Sequence, residues 1–374
     1  MKIIKKISQL ICCLFLLHNL AIGQTIKAVV ADAENHQAIP DVFVFLDNSS
    51  TGSITDMQGV FTLKAPTDQN IELVFSHLNY ELLSLSLKDG ETIADTIFLK
   101  SSGVLLNEAV VTSKAKPRVR SRWLKRFRDE FLGLDYNKKL IRLVNPEALL
   151  FEQKKGVLKA SSKESLIVEN KLLGYRIQFF LTAFESYNNG GDLRYHGKVF
   201  FEPMKGTKKE MARYKRNRSK IYKQSNRRFF AALGQQKTTE LANYEVGYAV
   251  FNKSGQIVNY EPMSIDALEV KEVRKEVYEI AINRILTITN NQLKIKQAGT
   301  RNIGTTLDGK VGDFKQTENN IPRSYLWSKK GRIVINKYGT ILNPLELEEA
   351  GYWSSLRVAS LLPLDYKVRN RAKL

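Results

Sequence analysis

Cysteine is almost missing from this 374-residue chain, and the two that occur, Cys12 and Cys13, sit side by side in an apolar run near the N-terminus. The rest of the chain can form no disulfide and has no thiolate for nucleophilic or metal-binding chemistry. Histidine is also scarce. None of His36, His77 and His196 has a Glu three residues on, which excludes the His-x-x-Glu ligand pair of a zinc carboxypeptidase. The chain has no H-E-x-x-H, G-x-S-x-G elbow, P-loop or G-x-G-x-x-G, so no catalytic, cofactor-binding or metal-binding residue is expected. No run of 18 or more apolar residues follows the N-terminal segment, and a helical membrane protein is not expected.

Acidic residues are the last shortfall, with 38 Asp and Glu against 58 Lys and Arg, a net charge of +20. At 43% hydrophobic and 26% charged residues, the composition is otherwise that of a globular protein, and the length suggests two or three domains. Lys2, Lys5 and Lys6 precede the apolar run Leu10–Leu20, and Ala21-Ile22-Gly23 ends it before Gln24. This pattern predicts a signal peptide over residues 1–23, hence an exported protein, periplasmic or associated with the outer membrane. Cys12 and Cys13 lie inside the apolar run, which does not fit lipid attachment at the cleavage point. Losing three lysines and no acid brings the charge from +20 to +17.

Over residues 24–105, short β-rich runs alternate with turn residues: Ile26–Val30, Val42–Leu46, Gly59–Leu63, Ile71–Ser76, Leu82–Leu87 and Thr96–Leu99. This spacing predicts an all-β sandwich. Val30-x-Asp32, Ile39-Pro40-Asp41-Val42-x-Val44, Thr51-Gly52-Ser53-Ile54-Thr55-Asp56-x-x-Gly59-x-Phe61 and Ser76-His77-x-Asn79-Tyr80 together resemble the carboxypeptidase regulatory-like domain. The resemblance implies a transthyretin-like (prealbumin-like) sandwich. Asp56 and Gly59 read as a turn that sends Phe61 into the core, and a calcium loop there would have too few ligands. Asn79 stands where the family has Gly before Tyr80, and Asn tolerates the left-handed backbone such a turn uses. Leu105–Thr112 resembles the strand that follows this module in exported proteins of Bacteroidetes-like bacteria, TonB-dependent receptors among them.

Residues 106–133 read as that linker strand followed by a basic amphipathic helix over 118–132. Val119, Trp123, Leu124, Phe127 and Phe131 form its apolar stripe, and Gly133 is its C-cap. Arg122, Trp123 and Arg126 are candidates for contact with an anionic surface, although packing of the stripe on the next domain is the favoured fate.

Residues 134–374 read as an α+β domain with a mainly antiparallel sheet. Strands are predicted at Leu172–Ala183, Leu193–Phe201, Tyr244–Phe251, Leu268–Glu272, Leu293–Gln297, Tyr325–Trp327 and Gly331–Asn336, and helices over about 207–233, 275–286 and 346–361. A transmembrane barrel is the alternative, disfavoured by too few strands. Eleven basic residues and one acid lie between Lys205 and Arg228. On a single helix, Met211, Tyr214, Ile221, Tyr222, Phe229 and Leu233 share a face with Arg218 and Ser225 at its centre. Arg218 must therefore meet a carboxylate, carbonyls or a ligand, and an ion pair to an acid of the sheet is the preferred expectation. Asn217, Arg218, Tyr222, Ser225 and Arg357 are the candidate buried-polar or ligand-contacting residues, while Arg213, Arg216 and Arg227 are candidate surface-binding cations. Asn217-Arg218-x-x-x-Tyr222-x-x-Ser225-x-x-x-Phe229, with Gly351-Tyr352-Trp353-x-x-x-Arg357-x-Ala359, resembles the second half of exported Bacteroidetes proteins that carry the regulatory-like module. That resemblance implies no activity.

The expected function is that of a non-enzymatic cell-envelope protein, the sandwich acting as interaction module and the larger domain binding a partner or ligand. The alternatives are an exported hydrolase of glycan or peptide, or an electrostatic binder of an anionic envelope polymer. Expected partners are an envelope protein or such a polymer, with peripheral membrane contact and no nucleic acid.

Overall fold

The computed structural model describes residues 23–66, 70–88, 91–102, 116–133, 136–187, 193–253, 257–294, 302–305, 311–314, 317–318 and 320–367. Residues 1–22 of the expected leader and the expected exit strand Leu105–Thr112 lie outside the described residues. The chain divides into two compact units, the first running to Gly103 without Asn48–Ser50, the second comprising those three residues and Val104 onward.

The first unit contains β1 (Gly23–Asp32), β2 (Phe43–Leu46), β3 (Gly52–Ile54), β4 (Val60–Pro66), β5 (Ile71–Ser76), β6 (Leu83–Leu87) and β7 (Thr96–Leu99). Strict alternation sets their faces: in β4, Phe61, Leu63 and Ala65 are buried while Thr62 and Lys64 face water. One sheet has the order β4-β1-β7, with β1 antiparallel to β4 and parallel to β7. The other, β3-β2-β5-β6, is antiparallel. Val30, Phe61 and Leu63 from the first sheet and Val44, Leu73 and Phe75 from the second share one core, which makes this unit a β-sandwich.

Asp56 shapes the turn into β4, its Oδ1 accepting from the N–H groups of Gln58 (3.0 Å) and Val60 (2.9 Å). Gly59 has φ 71°, and a Cβ there would stand 2.5 Å from the Val30 carbonyl oxygen, so only glycine fits. Phe61 is 1% exposed. At Asn79 the backbone departs from the left-handed expectation, since Asn79 is not among the residues with positive φ. Its N–H donates to His77 Nδ1 (3.2 Å) and its carbonyl accepts from the Ser102 N–H (2.9 Å), so the imidazole helps close the turn without a positive φ. Tyr80 then donates its hydroxyl to Asp32 Oδ2 at 2.8 Å.

The second unit opens with α1 (Pro117–Leu132), then β8 (Ile141–Leu143), β9 (Leu149–Lys154), β10 (Val157–Ser162), β11 (Leu166–Asn170), β12 (Tyr175–Tyr187) and β13 (Leu193–Pro203). Helices α2 (Lys208–Gln224), α3 (Asn226–Gly234) and α4 (Thr238–Leu241) follow. Next come β14 (Tyr244–Phe251), β15 (Ile257–Met263), β16 (Val270–Arg274), β17 (Val277–Ala281), β18 (Leu286–Asn290), β19 (Asn302–Thr305), β20 (Val311–Phe314), β21 (Thr317–Glu318), β22 (Ile321–Ser328), β23 (Arg332–Asn336) and β24 (Leu347–Gly351), and then α5 (Tyr352–Ser355). The sheet β8-β11-β12-β10-β9 carries β13 beside β12, and β15-β14-β18-β22-β21 carries β24 beside β22. Smaller sheets are β16-β17-β23 and β19-β20. The pairings among the described strands of this unit are antiparallel.

Two helices expected from the sequence are corrected. Residues 275–286 hold β17 and the start of β18, because Val277 and Ile280 pair into a sheet whose core also takes Ile333 and Ile335. Residues 346–361 hold β24, one turn of α5 and a 3₁₀ turn at Val358–Ser360. The helix over 207–233 is two helices, broken where Ser225 adopts extended backbone (φ −83°, ψ 155°). The strands β8 to β11 precede the first strand expected in this unit, although Leu158, Ala160, Leu166 and Val168 alternate at period two.

Helix α1 has Pro117 in its first turn, where a missing N–H is harmless, and Gly133 with φ 111° at its end. Phe127 and Phe131 are fully buried on the first large sheet among Phe151, Phe179 and Phe184, with ring centroids 4.7 to 5.9 Å apart. The stripe is thus consumed by packing. A second core joins Phe229, Phe230 and Leu233 of α3 to Leu286, Leu326, Ile335 and Trp353.

Candidate functional site

Helix α2 begins with a capping box: Thr207 Oγ1 accepts from the Glu210 N–H (3.3 Å), and Glu210 Oε2 accepts from the Thr207 N–H (2.9 Å). Its inner face meets the turn at Leu172–Gly174. Asn217 Nδ2 donates to the Leu172 carbonyl (2.9 Å), Arg218 Nε to Leu173 (2.6 Å) and Arg218 Nη2 to Gly174 (2.9 Å). Carbonyls and the Tyr175 ring, 3.8 Å from the guanidinium carbon, surround Arg218. The hydrogen-bond partners are therefore carbonyls where an acid of the sheet was preferred, because the turn directs its backbone oxygens at the helix.

Tyr222 lies beside Tyr366, ring centroids 6.2 Å apart, and burial pushes its phenol up. Ser225 donates to the Tyr222 carbonyl (2.8 Å) and caps the break. Met211 is 45% exposed and not part of the buried face, while Phe229 and Leu233 belong to α3. Arg227 is no free surface cation: it donates to the carbonyls of Pro363 (2.8 Å), Leu364 (2.6 Å) and Tyr338 (3.3 Å). Arg213 is half-buried with its Nε unpartnered, whereas Arg216 is exposed. In α1, Arg122 is exposed, Trp123 donates to Gln153 Oε1 (2.7 Å), and Arg126 is held by Glu130 (3.1 Å) and Ser186.

The remaining candidate, Arg357, lies apart from these residues in a cleft of about 610 Å³. Ala183 and Glu185 of β12 and Leu193 to His196 of β13 form one wall. Leu347 to Glu349 of β24 with Trp353 and Ser354 of α5 form another. Gly351 makes the β24–α5 corner possible: with φ 75°, a Cβ there would stand 2.5 Å from the Arg323 carbonyl oxygen. Trp353 is locked by its indole N–H on the Gln224 carbonyl (3.0 Å) and its backbone N–H on Ser324 Oγ (3.1 Å).

The polar groups in the cleft are coupled. Asn226 donates to Glu349 Oε1 at 2.5 Å. Burial nevertheless pushes the Glu349 carboxyl above its usual range, with Asn226 and the Arg357 charge opposing the rise. Burial pushes the Tyr195 phenol up, and the Arg357 charge beside it draws it back. The other two acids on the wall already have lysine partners, Glu348 with Lys329 and Glu185 with Lys159, each at 2.7 Å. His196 is exposed on the same wall. Donors at Arg357 and Tyr195, an acid at Glu349 and apolar Leu193, Ile341 and Leu356 suit a ligand with both polar and apolar parts. Among the described residues no group of three His, Cys, Asp or Glu could hold a metal ion, and no helix is long and apolar enough to cross a membrane.

Tyr195, Asn226 and Glu349 were not singled out from the sequence. Asn226 is 123 positions from Glu349 and Tyr195 is 162 positions from Arg357, and no short motif links them. The Gly351-Tyr352-Trp353 run was the available signal.

A comparison with curated proteins finds no match to the chain. Residues 26–111 match the model of the CarboxypepD_reg-like domain family. Strands β2 to β7, the Asp56 turn and the Tyr80–Asp32 bond fall within that match, and the N-terminal unit is a CarboxypepD_reg-like domain built as a β-sandwich.

Proposed function

We propose that this is a non-enzymatic protein of the cell envelope, exported by its leader, in which the CarboxypepD_reg-like domain is an interaction module and the second unit holds a ligand or partner. The observation that carries the reading is the cleft, where Arg357, Tyr195 and Glu349 present a donor, a hydroxyl and a half-buried acid among apolar side chains. Half-buried polar groups in a concavity of this size are suited to fixing a ligand's orientation.

Two measurements test it. Fractionation of cells producing the tagged protein should recover it in the envelope, starting at Gln24; cytoplasmic protein that keeps its leader overturns the reading. Native mass spectrometry should detect a co-purified ligand that Arg357→Ala loses. A ligand retained at full occupancy would rule out the cleft.

A second reading, an exported hydrolase of glycan or peptide, is favoured by one observation: Glu349 is a carboxyl with raised proton affinity in a cleft that also holds Glu185 and Glu348. Release of sugar or peptide from cell-wall material by the purified protein, abolished in Glu349→Gln, would select it.

A further inference from the structure

We propose that the outer face of α2 docks on an anionic lipid bilayer surface. At 100° per residue, the exposed positions of α2 fall within one arc of about 180°. In order around that arc the residues are Met211, Tyr222, Lys215, Lys208, Ser219, Ala212, Lys223, Arg216, Lys209 and Lys220, with Tyr222 and Ser219 half-buried. Six of the ten are cations and none is an acid. The single acid of the helix, Glu210, is on the other side and is engaged by Thr207. None of the six cations makes an ion pair among the described residues, while Arg213, Asn217 and Arg218 of the inner face reach backbone carbonyls. The helix therefore sorts its charges: the inner ones fasten it to the fold and the outer ones are left to water.

The geometry selects the partner. From Lys208 to Lys223 the row is about 22 Å long at 1.5 Å per residue. A convex row of five lysines and one arginine diverges from its axis, so it does not converge on one small anion. Its one ring, Tyr222, is half-buried beside Tyr366 near one edge of the arc, so the face offers no exposed Phe, Tyr or Trp on which a nucleic-acid base could stack. Long lysine stems on a convex helix suit a plane of dispersed negative charge, to which each cation near the surface adds a comparable increment. Folding leaves like charges side by side on this face, and an anionic bilayer relieves that repulsion.

The test is co-sedimentation of the purified protein with vesicles of phosphatidylcholine containing zero to 40 mol% phosphatidylglycerol, a range over which surface charge climbs steadily. Binding should appear as the anionic fraction rises and be lost in roughly 0.5 M salt. The variant Lys209→Gln/Arg216→Gln/Lys220→Gln/Lys223→Gln should weaken binding by about 100-fold or more, with an unchanged melting temperature because all four side chains are exposed. The control Arg118→Gln/Arg122→Gln/Lys125→Gln, on the exposed side of α1, should bind like wild type. Equal binding to neutral vesicles overturns the proposal, as does undiminished binding by the fourfold variant. Binding to heparin or DNA but not to anionic vesicles also overturns it.

Discussion

The guanidinium of Arg218 lies 3.8 Å from the centre of the Tyr175 ring, and the same side chain donates to the carbonyls of Leu173 and Gly174. A charge so placed fastens helix α2 to the first large sheet through carbonyl and ring contacts. Replacing Arg218 with Ala should cost roughly 1–3 kcal/mol, whereas Arg216→Ala, on the exposed face, should stay within about 0.5 kcal/mol. Thermal denaturation of the two variants side by side reads the difference.

Gly174 belongs to the same joint. It has φ 69°, and a Cβ would sit 2.2 Å from Tyr214 Cδ2. Gly174→Ala should destabilise by roughly 2 kcal/mol or more. Urea denaturation should show a lower midpoint with an unchanged slope; a midpoint equal to wild type would mean the joint relaxes freely.

For α1, packing makes a sharper prediction than charge. Phe127→Ala removes a fully buried ring that touches Phe131, Phe151 and Phe184, and should cost about 3–5 kcal/mol. Arg122→Ala should leave the melting temperature unchanged within about 0.5 kcal/mol.

Glu349 predicts a dependence on alkaline-side pH. Its carboxyl is raised above the ordinary value of 4.5 by burial. Between the unfolded and folded values the native state holds a proton that the unfolded chain has released, so stability falls as pH rises through this window. Glu349→Gln should therefore raise the melting temperature more at pH 8 than at pH 4. A uniform shift at both would mean the acid is ionised at little cost in the fold.

Asp32 behaves in the opposite sense. The N–H groups of Glu34 and Asn35 and the Tyr80 hydroxyl hold its carboxylate below the ordinary 3.8. The stabilisation is complete above the unfolded value and is lost as pH falls through the lower folded one. An Asp32→Asn variant should lose part of the acid-induced drop in sandwich stability below about pH 4, followed by near-UV circular dichroism.

Much of the sandwich could be read from residues alone. Phe61, Leu63 and Ala65 alternate with polar neighbours, and Asp56 with Gly59 marks a turn whose hydrogen bonds are local. The α1 stripe was equally legible, since Phe127 and Phe131 are one helical turn apart and share a face in any helix. Where the physics is local, the sequence carries it.

The second unit was less open to such reading. Val277-Tyr278-Glu279-Ile280-Ala281 suits either a helix or a strand, and its pairing with β23 decided the matter. Ser225 breaks what composition reads as one helix, because Phe229 and Phe230 must turn into a core shared with Trp353. The cleft depends on tertiary structure most of all. Glu349 meets Asn226 from 123 residues away, and only the assembled fold brings that half-buried acid and the amide together in one cleft. The sequence by itself determined which residues are apolar, where turns are permitted and how strongly basic two short windows are. The tertiary structure decided which of those cations are spent on carbonyls, as Arg218 and Arg227 are, and which remain on the outer face of α2. The reason is that burial and partner distance are set by long-range packing, to which the spacing of charges along the chain is blind.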